Sequence, residues 1–178
     1  PFESKYFKAV KVIAQMSAKE GDVEYRRQEF DLAIDNYSKA IDYYPEYTIA
    51  IFKLAKTYYK LKDFENSLSI LKKGLSIDPN QEQSEKMLGD IYRRLDDYEN
   101  SVKHYKLAIN INSNYAQAYY SLGTLYLANG VLENSKTALN SAIRLDPTYS
   151  KAYGTLGTVE QELGNIEQSI NNYLEAIK

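Results

Sequence analysis

Apolar residues recur at spacings of three and four along most of the chain, which is the period of one face of an α-helix. Between residues 48 and 61 these positions are Ile51, Leu54, Tyr58 and Leu61. After a polar break at Lys62-Asp63, residues 64–77 follow the same pattern with Phe64, Leu68, Leu71 and Leu75. The pattern predicts two amphipathic helices joined by a short turn.

This helix pair is one period of a 34-residue repeat. The segment that opens the second helix occurs five times, as Phe30-Asp31-Leu32-Ala33, Phe64-Glu65-Asn66-Ser67, Tyr98-Glu99-Asn100-Ser101, Leu132-Glu133-Asn134-Ser135 and Ile166-Glu167-Gln168-Ser169. Three periods end in proline, which disfavours helix at the residue before it. These prolines are Pro45, Pro79 and Pro147. Self-similarity at this period predicts a stack of helical repeats.

Short polar residues precede three of the predicted second helices. Asp63, Asp97 and Asn165 stand where a side chain can accept a hydrogen bond from a free backbone N–H of the first turn. We therefore expect all three to cap their helices. The fourth repeat departs from this pattern, with Gly130-Val131 at the equivalent place.

Small residues form two columns in the repeat. The first column lies in the middle of each first helix and contains Gly21, Ala55, Gly89, Gly123 and Gly157. A glycine in a helix interior costs about 1 kcal/mol relative to alanine, so four glycines in one column indicate a close approach of the paired helix. The second column lies early in each second helix and contains Ala33, Ser67, Ser101, Ser135 and Ser169. We interpret both columns as packing positions.

The repeat resembles that of the tetratricopeptide repeat family. That family's leucine-glycine, tyrosine, glycine, alanine and proline signature is matched in register by Leu122-Gly123, Tyr126, Gly130, Ala142 and Pro147. The resemblance covers five repeats, over residues 14–47, 48–81, 82–115, 116–149 and a shorter 150–178. It implies an all-α, right-handed superhelical solenoid of antiparallel helix pairs, whose first helices line a concave groove.

Composition narrows the classes of function. The 178 residues are 44% hydrophobic and 26% charged, with a net charge of −2, so we expect a globular chain and no nucleic-acid partner. The absence of cysteine excludes disulfides and thiolate metal sites. No apolar run approaches the roughly 20 residues that span a bilayer, so we expect no membrane insertion.

The sequence contains few candidates for catalytic or ligand-binding side chains. Its one histidine, His104, stands among charged residues of a predicted second helix, and we expect a solvated side chain. It has no neighbouring acid and nucleophile in sequence, and the eight glycines form no phosphate-binding loop. We therefore expect no enzymatic activity, no catalytic residue, no metal and no cofactor.

The first helices supply the candidate binding residues. On the family pattern, the side chains that face the groove are rich in cations and aromatic rings in the second and third repeats. Residues 48–81 contain six lysines and arginines against three acidic residues. The resemblance thus implies a groove for a protein or peptide partner. The positive charge leaves two alternatives, an acidic and partly apolar partner or a charged face that is only solvated. The candidate groove residues are Tyr25, Arg26, Phe52, Lys53, Lys56, Tyr59, Lys60, Lys86, Met87, Asp90, Arg93, Arg94, Tyr120 and Thr124.

The two ends of the chain leave alternatives open. The last helix carries Ile170, Tyr173, Leu174 and Ile177, an apolar face that a terminal repeat normally replaces with a polar one. We expect either that the protein continues beyond Lys178 or that this face mediates self-association. Residues 1–13 either extend the first helix backwards or belong to a partial preceding repeat, and we favour the extension.

Two further expectations concern the full-length protein and its location in the cell. The chain begins at Pro1, so we expect it to be part of a longer protein, and a repeat segment of a larger enzyme or secretion machine is an alternative to a free-standing scaffold. We expect a cytoplasmic location, although an absence of cysteine does not decide the compartment.

Overall fold

The computed structural model describes residues 2–178, with side chains from Lys5 onward, so Pro1 of the predicted extension lies outside the described residues. Over these residues the chain forms ten helices and no strand. The helices are α1 (Phe2–Arg27), α2 (Phe30–Tyr43), α3 (Thr48–Lys60), α4 (Phe64–Ile77), α5 (Glu82–Arg94), α6 (Tyr98–Ile111), α7 (Ala116–Ala128), α8 (Leu132–Leu145), α9 (Ser150–Glu162) and α10 (Ile166–Ala176). The predicted all-α class is confirmed.

The helices fall into two compact units, an N-terminal unit that ends at Ser84 and a C-terminal unit that begins at Glu85. In the N-terminal unit α1 packs on α2, α2 on α3 and α3 on α4. Its core is built mainly of small and branched residues, with one large ring. The residues at its centre are Ala14, Ala18, Ala33, Tyr37, Ala40, Ile51 and Leu54.

The C-terminal unit repeats this arrangement. Its α7 packs on α6 and α8, and α9 packs on α8 and α10. One cluster centres on Tyr105, Leu122, Leu125 and Tyr126. A second centres on Leu139, Ala142, Ala152, Leu156 and Val159. As in the N-terminal unit, each helix buries a narrow apolar stripe against its neighbours in sequence.

The turn inside each helix pair contains one residue with a positive φ angle. These residues lie 34 positions apart and are Gln28, Lys62, Asp96, Gly130 and Gly164. This left-handed conformation costs L-residues roughly 1–2 kcal/mol, and glycine adopts it freely. The unusual Gly130-Val131 of the fourth repeat is therefore the same turn built with the residue that suits it best.

Two of the three predicted caps are confirmed. The side chains of Asp63 and Asp97 each accept a hydrogen bond of 3.1 Å from a backbone N–H of the first turn, that of Asn66 and that of Asn100. The expected cap at Asn165 is wrong. Its side-chain amide instead donates to Glu160 Oε2 over 2.7 Å, because Glu160 is a buried carboxylate in need of donors.

The glycine column explains how closely the paired helices approach. A Cβ atom added at Gly89 would lie 2.6 Å from the ring of Tyr105, which is fully buried. Gly21 faces Tyr37 at 2.7 Å and Gly157 faces Tyr173 at 2.8 Å in the same way. Each glycine therefore makes room for one tyrosine ring of the second helix. In the fourth repeat Gly123 makes room for a leucine, Leu139.

The serine column does more than pack. Ser67, Ser101, Ser135 and Ser169 are buried, and each hydroxyl donates a hydrogen bond of 2.8 or 2.9 Å to a backbone carbonyl of the first helix of its repeat. The acceptors are the carbonyls of Ala55, Gly89, Gly123 and Gly157, the small column itself. An interpretation as packing alone was thus incomplete, since four repeats carry the same hydrogen bond between their two helices.

Candidate functional site

The predicted groove residues of the N-terminal unit lie on α1 and α3. Phe52, Lys53 and Lys56 line a cavity of about 350 Å³ on one face of α3. Its lining also contains Thr48 and Ile49 of α3 and the segment from Asn80 to Ser84. Ile49 is a large apolar side chain that is 55% exposed, and Phe52 is half-buried. The cavity lining therefore combines large apolar side chains with charged ones.

Lys53 is not a free cation. Its Nζ lies 2.6 Å from Asp22 Oδ2, and the other carboxylate oxygen of Asp22 accepts a hydrogen bond of 2.8 Å from the hydroxyl of Tyr37. Burial, followed by the hydrogen bond and charge of Asp22, holds the pKa of Tyr37 well above its usual range. Asp22 thus neutralises one of the two lysines that line the cavity.

Lys56 has a different environment. Its side chain is exposed, and its Nζ lies 5.4 Å from the centroid of the Tyr25 ring, a weak cation–π contact. Lys56 takes part in none of the ion pairs among the described residues, and Lys60, one turn further along α3, is also exposed. The uncompensated positive charge of this face is therefore carried by Lys56 and Lys60.

The aromatic residues Tyr25 and Tyr59 have a structural role as well. The ring of Tyr25 packs edge-on against Phe30 with centroids 5.5 Å apart, and Tyr59 packs against Phe64 at 5.7 Å. Each pair joins the end of a first helix to the start of the second. Both tyrosines are half-buried, and Arg26 beside Tyr25 is exposed.

In the C-terminal unit, α5 carries a second lysine–aspartate–tyrosine set. Lys86 Nζ lies 2.7 Å from Asp90 Oδ2, and Asp90 Oδ1 accepts a hydrogen bond of 2.7 Å from the Tyr105 hydroxyl. Burial is the main reason why the pKa of Tyr105 lies far above its usual range, with the charge of Asp90 next. Lys86, like Lys53, is therefore neutralised within the chain.

The other predicted residues of this unit lie on α5 and α7. Arg93 donates a 3.3 Å hydrogen bond to Thr124 Oγ1, so the structure brings these two together. The ring of Tyr120 packs against Tyr149 with centroids 4.9 Å apart. Met87 is half-buried and Arg94 is exposed.

The expectation for His104 is wrong. Its imidazole is only 14% exposed, stacks on the ring of Tyr92 at 5.2 Å and 9°, and places Nδ1 2.6 Å from Glu85 Oε2. A side chain held by a ring and a carboxylate of α5 is not solvated. Sequence neighbours on the same helix could not reveal this, because both partners lie on the preceding helix.

Family models match the chain over most of its length. One, described as a TPR repeat, covers residues 21–62 and 89–130. Another, described as a tetratricopeptide repeat, covers residues 49–81, 116–149 and 150–178, which is more than half of the chain. The chain belongs to the tetratricopeptide repeat family. The resemblance inferred from the repeated motif is confirmed.

Solved structures of tetratricopeptide repeat proteins share the fold. The crystal structure of MamA is 25% identical, with a TM-score of 0.78 over 93% of this chain and 90% of that chain. PilF from Pseudomonas aeruginosa is 14% identical, with a TM-score of 0.87 over 95% of this chain and 77% of that chain. YrrB, described as a TPR protein with an unusual peptide-binding site, is 18% identical, with a TM-score of 0.71 over 97% and 90%. No curated protein matches the sequence.

Among residues 2–178, no group of three or more histidines and acidic residues is arranged to hold a metal ion. None of the described helices is long and apolar enough to cross a membrane.

Sequence reasoning missed the roles of Asp22 and Tyr37, although a signal exists. Asp22 and Asp90 are two periods apart, as are Tyr37 and Tyr105, whereas the intervening repeat has Lys56 and Leu71 at these positions. This alternation could have indicated that odd-numbered tetratricopeptide repeats pair a tyrosine with a polar partner. In the fifth repeat the pair is Tyr173 and Thr158, with hydroxyls 3.1 Å apart.

The buried hydroxyl of Tyr105 generates a prediction about alkaline stability. A tyrosine in the unfolded chain ionises near pH 10, whereas Tyr105 keeps its proton in the folded chain. Stability from this group is therefore complete below pH 10 and falls above it, by about 1.4 kcal/mol per pH unit. We expect Tyr105→Phe to remove that part of the slope when the free energy of unfolding is measured by urea denaturation between pH 9 and about 11.

Tyr6→Phe is the matched control, because it deletes an exposed phenol from the same chain. An equal change in slope for the two variants would contradict the account of Tyr105.

Proposed function

We propose that the chain is a non-catalytic protein-interaction scaffold whose N-terminal unit binds an acidic, partly apolar segment of a partner protein on the α3 face. One observation carries the proposal. The cavity beside α3 is lined by the apolar side chains of Ile49 and Phe52 and by Lys56, a lysine without an ion-pair partner among the described residues. Membership of the tetratricopeptide repeat family supports a scaffold over an enzyme.

The apolar part of the proposal rests on Ile49 and Phe52. Burial of a large apolar side chain against a partner is favourable in free energy, and Ile49 is more than half exposed in the free chain. The cavity of about 350 Å³ is large enough for a leucine or phenylalanine side chain of the partner. Burial of such an anchor between Ile49 and Phe52 supplies most of the affinity, as at other interfaces.

The charged part of the proposal rests on Lys56. Because Asp22 already neutralises Lys53, a carboxylate of the partner gains most from Lys56, with Lys60 beyond it on the same helix. The acidic residue in the cavity lining is Glu82. We therefore propose that the partner's acidic residues lie towards Lys56 and Lys60, and its apolar anchor between them and Glu82.

We also propose that the predicted residues of the C-terminal unit contact a partner protein. Arg93 and Arg94 offer charge, while Met87 and Tyr120 offer apolar surface. Lys86 contributes less than the sequence indicated, since Asp90 neutralises it.

A peptide titration tests the proposed site. The probes are two fluorescent peptides that carry one leucine, flanked by glutamates in one peptide and by lysines in the other. We expect the glutamate peptide to bind, and Lys56→Glu to weaken its binding roughly tenfold in fluorescence anisotropy, because attraction becomes repulsion. Added salt should weaken binding to the wild type for the same reason.

Lys72→Glu is the control for the change in net charge, since Lys72 is an exposed lysine of α4 outside the cavity lining. Phe52→Ala tests the apolar anchor independently. The proposal fails if the lysine peptide binds as well as the glutamate peptide, or if Lys56→Glu and Lys72→Glu have the same effect.

A second candidate function is self-association through α10. Ile166, Ile170 and Leu174 are each more than half exposed, and Ile177 is 81% exposed. In the same unit, the residues one period before Ile166 and Ile177 are Leu132 and Ile143, which pack with the core of α9. Two residues of the α10 face are thus equivalent to residues that α8 already packs against α9, and a second copy is the occupant that we propose for this face.

Sedimentation velocity over a range of protein concentrations tests this alternative. If the chain self-associates, the sedimentation coefficient should rise with protein concentration. Ile170→Glu should abolish this rise, because it places a charge on the α10 face. A chain that stays monomeric at micromolar concentration would exclude the alternative.

A further inference from the structure

Two opposite charges in the third repeat line one cavity without pairing with each other. The cavity has a volume of about 260 Å³ and lies between the end of α5, the start of α6 and the end of α7. Neither Arg93 nor Asp96 takes part in any of the ion pairs among the described residues. The full lining is Arg93, Asp96, Tyr98, Leu125, Ala128 and Asn129. The cavity therefore separates a cation from an anion.

The first two repeats have a pair of aromatic rings where the third has Arg93 and Tyr98. Tyr25 packs against Phe30 with centroids 5.5 Å apart, and Tyr59 packs against Phe64 at 5.7 Å. In the third repeat arginine replaces the first ring of the pair. The structure records no ring contact for Tyr98 among the described residues. The cavity thus accompanies a break in the ring pairing.

Asp96 is also particular to the third repeat. It occupies the turn position with a positive φ angle, 57° in this residue. The equivalent residues of the other repeats are Gln28, Lys62, Gly130 and Gly164. Aspartate and asparagine adopt this conformation more readily than most L-residues. Of the five repeats, only the third therefore has a cation and an anion at these two positions.

The hydrogen bonds within the chain leave both groups with unused capacity. Arg93 is half-buried, and the described residues offer its guanidinium one hydrogen bond, of 3.3 Å to Thr124 Oγ1. A guanidinium has five N–H donors, and a partly buried charge without partners is costly. The carboxylate of Asp96 accepts none of the side-chain hydrogen bonds that the structure records. An acceptor for Arg93 and a donor for Asp96 must therefore come from water or from a ligand.

The two charges together select the chemistry of a ligand. A carboxylate would satisfy Arg93 but would be repelled by Asp96, and an ammonium group would meet the reverse problem. A carboxamide has a carbonyl acceptor, an NH2 group with two donors and no net charge. Leu125, which is buried in the lining, also disfavours a fully charged ligand.

We infer that this cavity binds the carboxamide side chain of an asparagine or glutamine of a partner protein. Its carbonyl oxygen accepts from Arg93, and its NH2 group donates to Asp96. A backbone amide has similar polar groups but continues on both sides, so a cavity of this volume favours a side chain. The inference rests on the scaffold role proposed above, and it names the side chain that the C-terminal unit recognises.

An NMR titration with four small molecules tests the inference. Propionamide represents the side chain, N-methylacetamide the backbone, propionate an acidic side chain and propylammonium a basic one. We expect propionamide to cause saturable shift changes at the backbone amides of Leu125 and Asn129. The other three probes should bind at least about fivefold more weakly, because each leaves one of the two charges unsatisfied or meets repulsion.

Two substitutions should change the preference in opposite directions. Asp96→Asn should shift it from propionamide to propionate, because the repulsion disappears, whereas Arg93→Gln should shift it to propylammonium. Glu99→Gln and Arg94→Gln are the matched controls, since both residues are exposed and outside the lining. Asp96 is exposed and asparagine tolerates the same turn, so Asp96→Asn tests the inference even if Arg93→Gln does not fold.

Three results would overturn the inference. They are the absence of saturable shifts with any probe, equal binding of propionamide and either propionate or N-methylacetamide to the wild type, and equal effects of Asp96→Asn and Glu99→Gln. Lys56→Glu should leave the binding of propionamide unchanged, because Lys56 belongs to the other unit. A failure at this cavity is thus distinguishable from a failure of the site beside α3, which the glutamate peptide tests.

Discussion

The close approach of the two helices within each repeat is the constraint on which the rest of this structure depends. In four repeats a glycine of the first helix faces a tyrosine or leucine of the second at a distance that leaves no space for a larger side chain. In four repeats a buried serine hydroxyl completes the contact by donating to the carbonyl of the glycine or alanine at this position. A hydroxyl buried without such an acceptor would be costly, so the hydrogen bond also selects the correct alignment of the pair.

The same packing decides which charges are available for binding. The rings of Tyr37 and Tyr105 fit against Gly21 and Gly89, and their hydroxyls reach Asp22 and Asp90. Each aspartate holds a lysine with its second oxygen, so Lys53 and Lys86 are neutralised. In the second repeat Leu71 replaces the tyrosine, and Lys56 stands where the first and third repeats have aspartate. The second repeat therefore lacks the carboxylate that neutralises a lysine in the first and third repeats, and has an unpaired cation in its place.

The sequence predicts the helices, the period and the small columns well, because these depend on spacing along one chain. It also predicts the caps at Asp63 and Asp97, whose partners are three residues away. The sequence does not predict the partners of His104 and Lys53, because these partners lie on other helices. It also does not predict that the side chain of Asn165 donates to the buried carboxylate of Glu160 instead of capping its own helix.

A double-mutant cycle at Gly89 and Tyr105 tests the central claim, that complementary large and small side chains determine the geometry of each pair. Gly89→Ala should lower the free energy of unfolding by about 1–3 kcal/mol through overpacking, despite the better helix propensity of alanine. Gly154→Ala, which meets only Ala176 at 3.8 Å, should not. In a Tyr105→Leu background, which reproduces the Ala55–Leu71 pair, the cost of Gly89→Ala should fall by at least about 1 kcal/mol. An additive cycle would contradict the claim.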